Sequence, residues 1–294
     1  MLDLRIDTFL NLCETRSYTK TAEQLNITQP TVTQHIQYLE NKYKTRLVSY
    51  SGRTLKITDK GEQLKRMALA MRANNKKIEQ YMLSSDNRYK DINFGCTLTI
   101  GEYVMPDKIN SYLNLNPDTN ITMLVDNTKQ LLQELDSGKI DFAIIEGYFE
   151  REKYGFHLMK KANYIGVCSS DHPFVDRAIS FEDLITQRLI LREEGSGTRD
   201  VFETILHEKN LNINNFLHRM EIGNFNAIKE LVKKNLGITF VYQEVVEKEL
   251  KEGSLKIIHL DNFNIFREFN LVYLKDDIFL DNYKEFWNYI GCEY

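Results

Sequence analysis

Proline and cysteine are scarce in this chain of 294 residues, four of each, and tryptophan occurs once. The cysteines, Cys13, Cys96, Cys168 and Cys292, lie far apart with no Cys-x-x-Cys pair. That excludes a sequence-local zinc or dithiol motif and leaves buried free thiols as the ordinary reading. The six histidines, at 35, 157, 172, 207, 218 and 259, show neither His-Glu-x-x-His nor another paired metal spacing. P-loop, Gly-x-Gly-x-x-Gly and Gly-x-Ser-x-Gly patterns are missing too, so the sequence offers no catalytic residue, metal site or cofactor, and an enzyme is not expected. No apolar run approaches the roughly 20 residues that span a bilayer. Asp3 and Asp7 interrupt the first apolar stretch, which fits neither a secretory nor a transit peptide. A cytoplasmic protein with no membrane contact is expected, and a secreted solute-binding protein is not.

What is present is unevenly distributed. Residues 1–90 carry 16 Lys and Arg against 9 Asp and Glu, a charge of +7, while the remainder carries 22 against 33, a charge of −11. Phosphate neutralisation supplies most non-specific affinity for DNA, so a basic front on an acidic body is what a DNA-contacting module joined to a non-contacting one would show. A chance fluctuation of surface charge is the other reading.

Leu2, Ile6, Phe9, Leu10 and Cys13 recur at helical spacing and predict an amphipathic helix. Ser17 and Thr19 can cap a short second helix, Lys20 to Leu25, after which Asn26-Ile27 turns the chain. Thr28 can cap a third helix with Pro30 in its first turn, where a missing N–H costs little. There Val32, Ile36, Leu39 and Tyr43 are expected to face inward. The opposite face holds Gln29, Thr31, Thr33, Gln34, Gln37 and Tyr38, neutral groups suited to base edges in a major groove. A merely solvated face would carry Lys and Glu instead. Leu47–Ser49 and Thr54–Ile57 flank Ser51-Gly52-Arg53 as a hairpin, a wing with Arg53 at its tip.

FLNLCETRSYTKTAEQLNITQPTVTQHIQYLE followed by SGRTLKITDKGEQL resembles the DNA-binding domain of LysR-type transcriptional regulators, including the Thr-x-Ala-Glu-x-Leu, Ile-Thr-Gln-Pro and Leu-Glu elements. The resemblance implies that Thr28 to Tyr38 enter the major groove of double-stranded DNA and that Tyr18, Lys20 and Arg53 touch the backbone. It departs from the family at Lys44, usually Gly, at Val48, usually Phe, and at Tyr50, usually Arg. The last change removes an expected phosphate contact.

From Thr58 to about Ser85 no Gly or Pro follows Gly61, and a long helix is expected. Leu64, Met71 and Ile78 recur every seven residues, with Met67, Asn74 and Tyr81 at the companion positions. Fewer than three heptads leave a coiled-coil seam and a helix packed on its own body both open. The resemblance implies dimerisation through this helix, often tetramers, and RNA polymerase as a candidate partner. Asn74 at a seam position would fix the register.

Beyond residue 90, short apolar runs (INFGCTLTI, ITMLVD, FAIIEG, YIGVCSS, RLILRE, GITFVY) alternate with helix-like stretches, which argues for parallel sheets with covering helices, an α/β class. Ligands of such sheets sit beyond the carboxyl ends of the strands. Thr97, Leu98, Thr99 and Ile100 follow one run, Asn127 and Thr128 another, and Glu194-Gly195-Ser196-Gly197-Thr198-Arg199 a third. Hydroxyls and freed amides at helix starts bind anions. Plain N-capping by Ser196 or Thr198 is the competing reading. This half resembles, more loosely, the LysR-type effector domain, similar to type 2 periplasmic binding proteins, most clearly at LDSGKIDFAIIEG, SSDHPF and REEGSGTR. The implied site adds Glu146-Gly147 and Gly223-Asn224-Phe225, and the implied effector is a small anion.

The expected whole is an α-rich winged helix-turn-helix at 1–58, a linker helix at 59–90, and an α/β effector-binding domain at 91–294. The last divides into one subdomain at about 91–161 plus 268–294 and a second at 162–267. A cysteine-based redox sensor stands as the alternative. An enzyme or plain small-molecule-binding protein built on the same body is the reading from a different class.

Overall fold

The computed structural model describes residues 3–52, 54–83, 90–261 and 263–292. Leu2 and Arg53 lie outside them. The side chains of residues 76, 80, 81, 83 and 90 are likewise not described. The chain begins with helices α1 (Leu4–Thr15), α2 (Tyr18–Gln24) and α3 (Gln29–Tyr43), followed by the hairpin β1 (Val48–Ser51) and β2 (Thr54–Ile57). Each helix starts at a side-chain cap: Asp3 accepts from Arg5 N, Ser17 from Lys20 N and Thr28 from Thr31 N. Ile6, Phe9, Leu10, Cys13, Val32, Ile36 and Leu39 fill one core together with Leu47, just before the hairpin, and Leu55 of its second strand. Tyr43 does not join them: it is the last residue of α3 and is 43% exposed.

Helix α4 (Asp59–Leu83) belongs to two cores. Ala68 and Leu69 complete the N-terminal one, while Ala73 packs into a cluster of the body. Its start is tight, because a Cβ on Gly61 would lie 2.2 Å from Leu47 O. Farther along, Gly138, at φ +69°, brings its backbone under Ala73, where a side chain would collide with the Ala73 Cα at 2.6 Å. The expected seam is split by this docking. Met67, Met71, Ile78 and Met82 are exposed, but Leu64 packs on the N-terminal core. Asn74 faces the body, donating through Nδ2 to Asp276 O and accepting from Ile278 N. Asn74 is therefore used within its own chain, and the expectation that it fixes a dimer register does not hold.

The body follows as β3 (Lys90–Cys96), α5 (Leu98–Tyr103), α6 (Met105–Leu115), β4 (Thr119–Val125), α7 (Thr128–Asp136), β5 (Phe142–Ile145), β6 (Tyr154–Ser169), β7 (Ala178–Ile179), α8 (Phe181–Leu184), β8 (Arg188–Leu191) and α9 (Gly197–Glu208). It continues as β9 (His218–Glu221), α10 (Phe225–Lys233), β10 (Thr239–Tyr242), α11 (Gln243–Glu252), β11 (Leu255–Ile257), β12 (His259–Leu260), β13 (Ile265–Leu274) and α12 (Lys284–Ile290). A seven-stranded sheet has the order β10-β6-β13-β5-β3-β4, with β11 also on β6. β3 pairs in parallel with β4 and β5, and β8 with β9, as strand–helix alternation requires. The sheet is nonetheless mixed, because β6 and β13 form one long antiparallel ribbon. One end of the ribbon pairs with β5 through Asn270–Val272, and the other with β10 through Tyr164–Val167. Two strands thus carry the chain between the two halves of the body. A bulge at Phe269/Asn270 marks the passage.

Candidate DNA-binding face and effector cleft

Helix α3 presents Gln29, Pro30, Gln34, Gln37 and Tyr38 to solvent, with Thr31 and Thr33 partly exposed. Thr28 and Thr31 share a hydroxyl–hydroxyl bond of 2.8 Å, and Thr33 Oγ1 donates to Gln29 O. The glutamine side chains remain as the outward donors and acceptors. The Arg5 guanidinium lies 3.6 Å from the centroid of the Tyr38 ring and fixes its orientation. Lys20 is exposed, but Tyr18 is half-buried against the core, and burial, with the Tyr50 hydroxyl and Glu40 adding to it, pushes its phenol up to about 12. Arg53, the expected wing tip, is outside the described residues.

The junction of helix and wing rests on a residue that the sequence reading passed over. Glu40 is buried at the inner end of α3, where its carboxylate accepts from Leu47 N at 2.8 Å and Val48 N at 3.3 Å and pairs with Arg46. Lys44 holds φ +50° as the cap of α3, a left-handed conformation that glycine adopts at lower cost, which accounts for the family preference at that position.

In the body, parallel register sets Thr97 level with Asp126 just past the ends of β3 and β4, and Glu146 directly follows the end of β5. The helix starts there fall into two kinds. Asn127 caps α7 by accepting from Gln130 N, and Asn224 caps α10 by accepting from Ala227 N, so both are exposed residues with structural work already done. Thr97 and Ser196 stand at the N-caps of α5 and α9 without a side-chain cap bond. Plain capping by Ser196 is thereby ruled out. The Thr97 hydroxyl donates instead to Glu146 Oε2.

Thr97, Thr99, Ser196 and Thr198 are all buried. Thr99 Oγ1 completes no hydrogen bond of good geometry, yet lies close enough to Glu146 to favour its charged form. Glu146 reaches across the cleft: a Cβ on Gly197, the first residue of α9, would sit 3.9 Å from its Oε1. Loss of water around the carboxyl pushes Glu146 up to about 7, against the opposing pull of its own backbone N–H, Thr99 and Arg192. Leu98 and Ile100 turn into the core, and Phe225 lies beneath Arg192, whose guanidinium is 4.3 Å from its ring centroid. Gly147 and Gly197 join two cavities of about 1010 and 450 Å³, the second lined by Asn127 and Thr128.

Two sequence families cover nearly the whole chain: the bacterial regulatory helix-turn-helix protein, lysR family, matches residues 4–62, and the LysR substrate binding domain matches residues 88–293. The chain belongs to the LysR family of transcriptional regulators. Among LysR relatives, the regulator CysL of Bacillus subtilis is 26% identical over 91% of this chain and 89% of its own. The activator CmpR of Synechocystis is 26% identical over 92% and 88%. Among solved structures, full-length OxyR of Pseudomonas aeruginosa aligns over all of this chain and 96% of its own, with a TM-score of 0.62 at 18% identity. The regulatory domain of Synechocystis CcmR, solved in complex with 2-PG, covers 68% of this chain and 95% of its own at 0.61 and 20%. These last two likenesses are of fold.

Like its LysR relatives, the chain is a DNA-binding regulator with an effector-binding domain, and its family is one of transcriptional regulators. Among the described residues no helix is long and apolar enough to cross a membrane, and no cluster of side chains could hold a metal ion. Cys13, Cys96, Cys168 and Cys292 are free and buried, and burial pushes their thiols up to about 12, 12, 11 and 12. Sequence reasoning missed Arg192, a buried guanidinium at the end of β8 that forks onto Glu193 through two bonds of 2.7 Å. Its place directly after an apolar run was the available signal.

Proposed function

We propose that residues 1–58 bind double-stranded DNA through Gln29, Gln34 and Gln37 of α3 and through the wing, and that residues 91–294 sense a small acidic molecule between their two halves. The linker at 59–90, through the exposed Met67, Met71, Ile78 and Met82 of α4, joins two copies, with tetramers and RNA polymerase contacts following the pattern of the family. The setting is the cytoplasm. The observation that carries the effector reading is the pair of uncapped helix starts facing each other. Thr97 and Ser196 leave the first amides of α5 and α9 unused by their own side chains, beside buried hydroxyls and Arg192. Such amides, with the positive end of a helix behind them, favour a carboxylate, sulfate or phosphate. The CcmR regulatory domain, alike in fold, was solved in complex with 2-PG, which supports a small-molecule ligand for the effector-binding domain as a whole. The cysteine-based alternative has no reactive thiolate to support it.

The test is thermal shift of the full chain against sulfate, phosphate and small carboxylates, because a ligand bound only by the folded state raises apparent stability. Thr198→Val should abolish the shift and leave operator binding intact; equal loss of both would mean misfolding. Gln34→Ala should lower the ratio of specific to non-specific DNA binding about 10- to 100-fold, the value of one bidentate base contact. An unchanged ratio in competition assays would remove α3 from the base-reading role.

A further inference from the structure

We infer that the effector is a zwitterion of amino-acid size, whose acid group lies at the start of α9 beside Arg192 and whose protonated amine is received by Glu146. The inference rests on the reading of the cleft as an effector site and narrows it.

A plain anion is ill suited to the cleft, because Glu146 already stands there. Its Oε2 is held by the Thr97 hydroxyl, and its Oε1 is the atom nearest to where a side chain on Gly197 would begin. Arg192, the cation that acts on it, spends Nε and Nη2 on Glu193. A carboxylate withdrawn from water without a cation in contact is unfavourable, and a ligand that brings one relieves it. Tyr242 and Cys96, which also face Glu146 from the ends of β10 and β3, carry no positive charge to do so.

The approach to the site has the same sign. The larger cavity runs from Glu146 past Glu150, Glu152, Asp200 and Glu268, opposed by Arg151 and Arg267. Arg151 is itself paired with Glu268 at 3.0 Å. Such a wall concentrates cations and turns away simple anions. The receiving site for an acid group is nonetheless built: the α9 amides lack a side-chain cap, and Ser196 and Thr198 stand buried at that helix start. Acid-binding and amine-binding groups thus face each other across a few ångströms. One small molecule bearing both charges satisfies both banks.

The experiment is titration calorimetry on the full chain with matched probes: L-serine against 3-hydroxypropionate, L-aspartate against succinate, and inorganic sulfate. At least one amino acid should bind 10-fold or more tightly than its amine-free partner. Glu146→Gln should remove that preference, weakening the amino acid roughly 10- to 100-fold, the range of one hydrogen bond to a charged group, while sulfate and the amine-free acids bind no worse. Wild-type protein alone decides the matter if the variant misfolds. Amine-free acids or sulfate binding as tightly as the amino acids, with loss on Thr198→Val, would overturn the zwitterion and leave the effector cleft standing. Binding of none of the probes to either protein would overturn both.

Discussion

Lys77 ties the linker helix to the body, and its removal should be among the most damaging changes outside the DNA-binding head. Its ammonium lies 2.9 Å from Asp141 and 2.5 Å from Asp277, with the three side chains 9%, 8% and 1% exposed. The Tyr283 ring centroid is 5.2 Å away. Lys77→Met keeps the length of the side chain but leaves two carboxylates buried without a cation. Breaking a buried pair from one side costs about 3–5 kcal/mol, mostly from the charge left behind. Lys139→Met is the internal control, since its pair with Glu134 has the lysine 61% exposed, and an exposed pair contributes under about 1 kcal/mol. The single tryptophan, Trp287, stacks on Tyr283 at 6.3 Å and reports on this part of the body in a urea titration. Lys77→Met should move the midpoint by the larger amount and expose α4 to protease between the two cores. A Lys77→Met protein within about 1 kcal/mol of the Lys139→Met control, with α4 equally protected, would refute the assignment of Lys77 as the clasp.

Three further outcomes follow from the same geometry. Glu40→Ala should leave the Leu47 and Val48 amides without their acceptor, lower head stability by roughly 2–3 kcal/mol, and weaken operator binding in gel shift; unchanged binding would show that the wing is placed by other contacts. Glu146 is held near 7 by burial against an ordinary 4.5, so the folded state holds an extra proton between those values and wild-type stability falls as pH rises from about 4.5 to 7, by up to about 3 kcal/mol. Glu146→Gln should lack that slope; the lowered His157 and His172 oppose it equally in both proteins, so the difference between their melting curves isolates Glu146. Met71→Glu with Ile78→Glu should convert dimers to monomers in sedimentation without unfolding them, because both positions are exposed within one chain; persistent dimers would place the interface elsewhere.

The head was readable because its rules are local. Caps at Ser17 and Thr28, the 3.6-residue spacing of Val32, Ile36 and Leu39, and the turn at Gly52 each involve residues a few positions apart. The body was readable at its parallel strand ends for the same reason, since an apolar run announces the residue after it. The long β6–β13 ribbon was missed because HLMKKAN, the middle of β6, carries Lys160 and Lys161 side by side and lacks an apolar run, while its partner lies about 100 residues away. Asn74 was misassigned by the same limit: a heptad position says which face a residue shares, but not that Asp276 and Ile278 of the same chain will meet it. Glu146 was named only as a strand-end neighbour. Its conflict with an anionic ligand depends on α9 lying opposite, which no spacing in the sequence encodes.

Helix α4 explains how occupancy of the cleft can reach the DNA-binding face. Leu69 is anchored in the head, and Lys77 in the body, eight residues farther on, or about 12 Å of helix. Over that length a helix curves only gently, and neither Gly nor Pro lies between to kink it. Head and helix are therefore stiffly joined, and the contact of the helix with the body is the junction through which a change in the body would reach the head. That contact is made by Asn74 on Asp276 and Ile278, Lys77 on Asp141 and Asp277, and Arg72 on Asp136. Asp141 directly precedes β5, the strand that leads to Glu146, and Asp277 follows β13, one of the two strands that cross between the halves. The clasp is thus built beside the strand that leads to Glu146 and a strand that crosses between the halves. A ligand that binds one arrangement of the halves more tightly shifts the population toward it, and these few polar contacts offer that shift a route to the head. Loosening the clasp with Lys77→Met should accordingly uncouple the two sites, leaving effector affinity and operator affinity each measurable but no longer dependent on one another; retained coupling would require a second route.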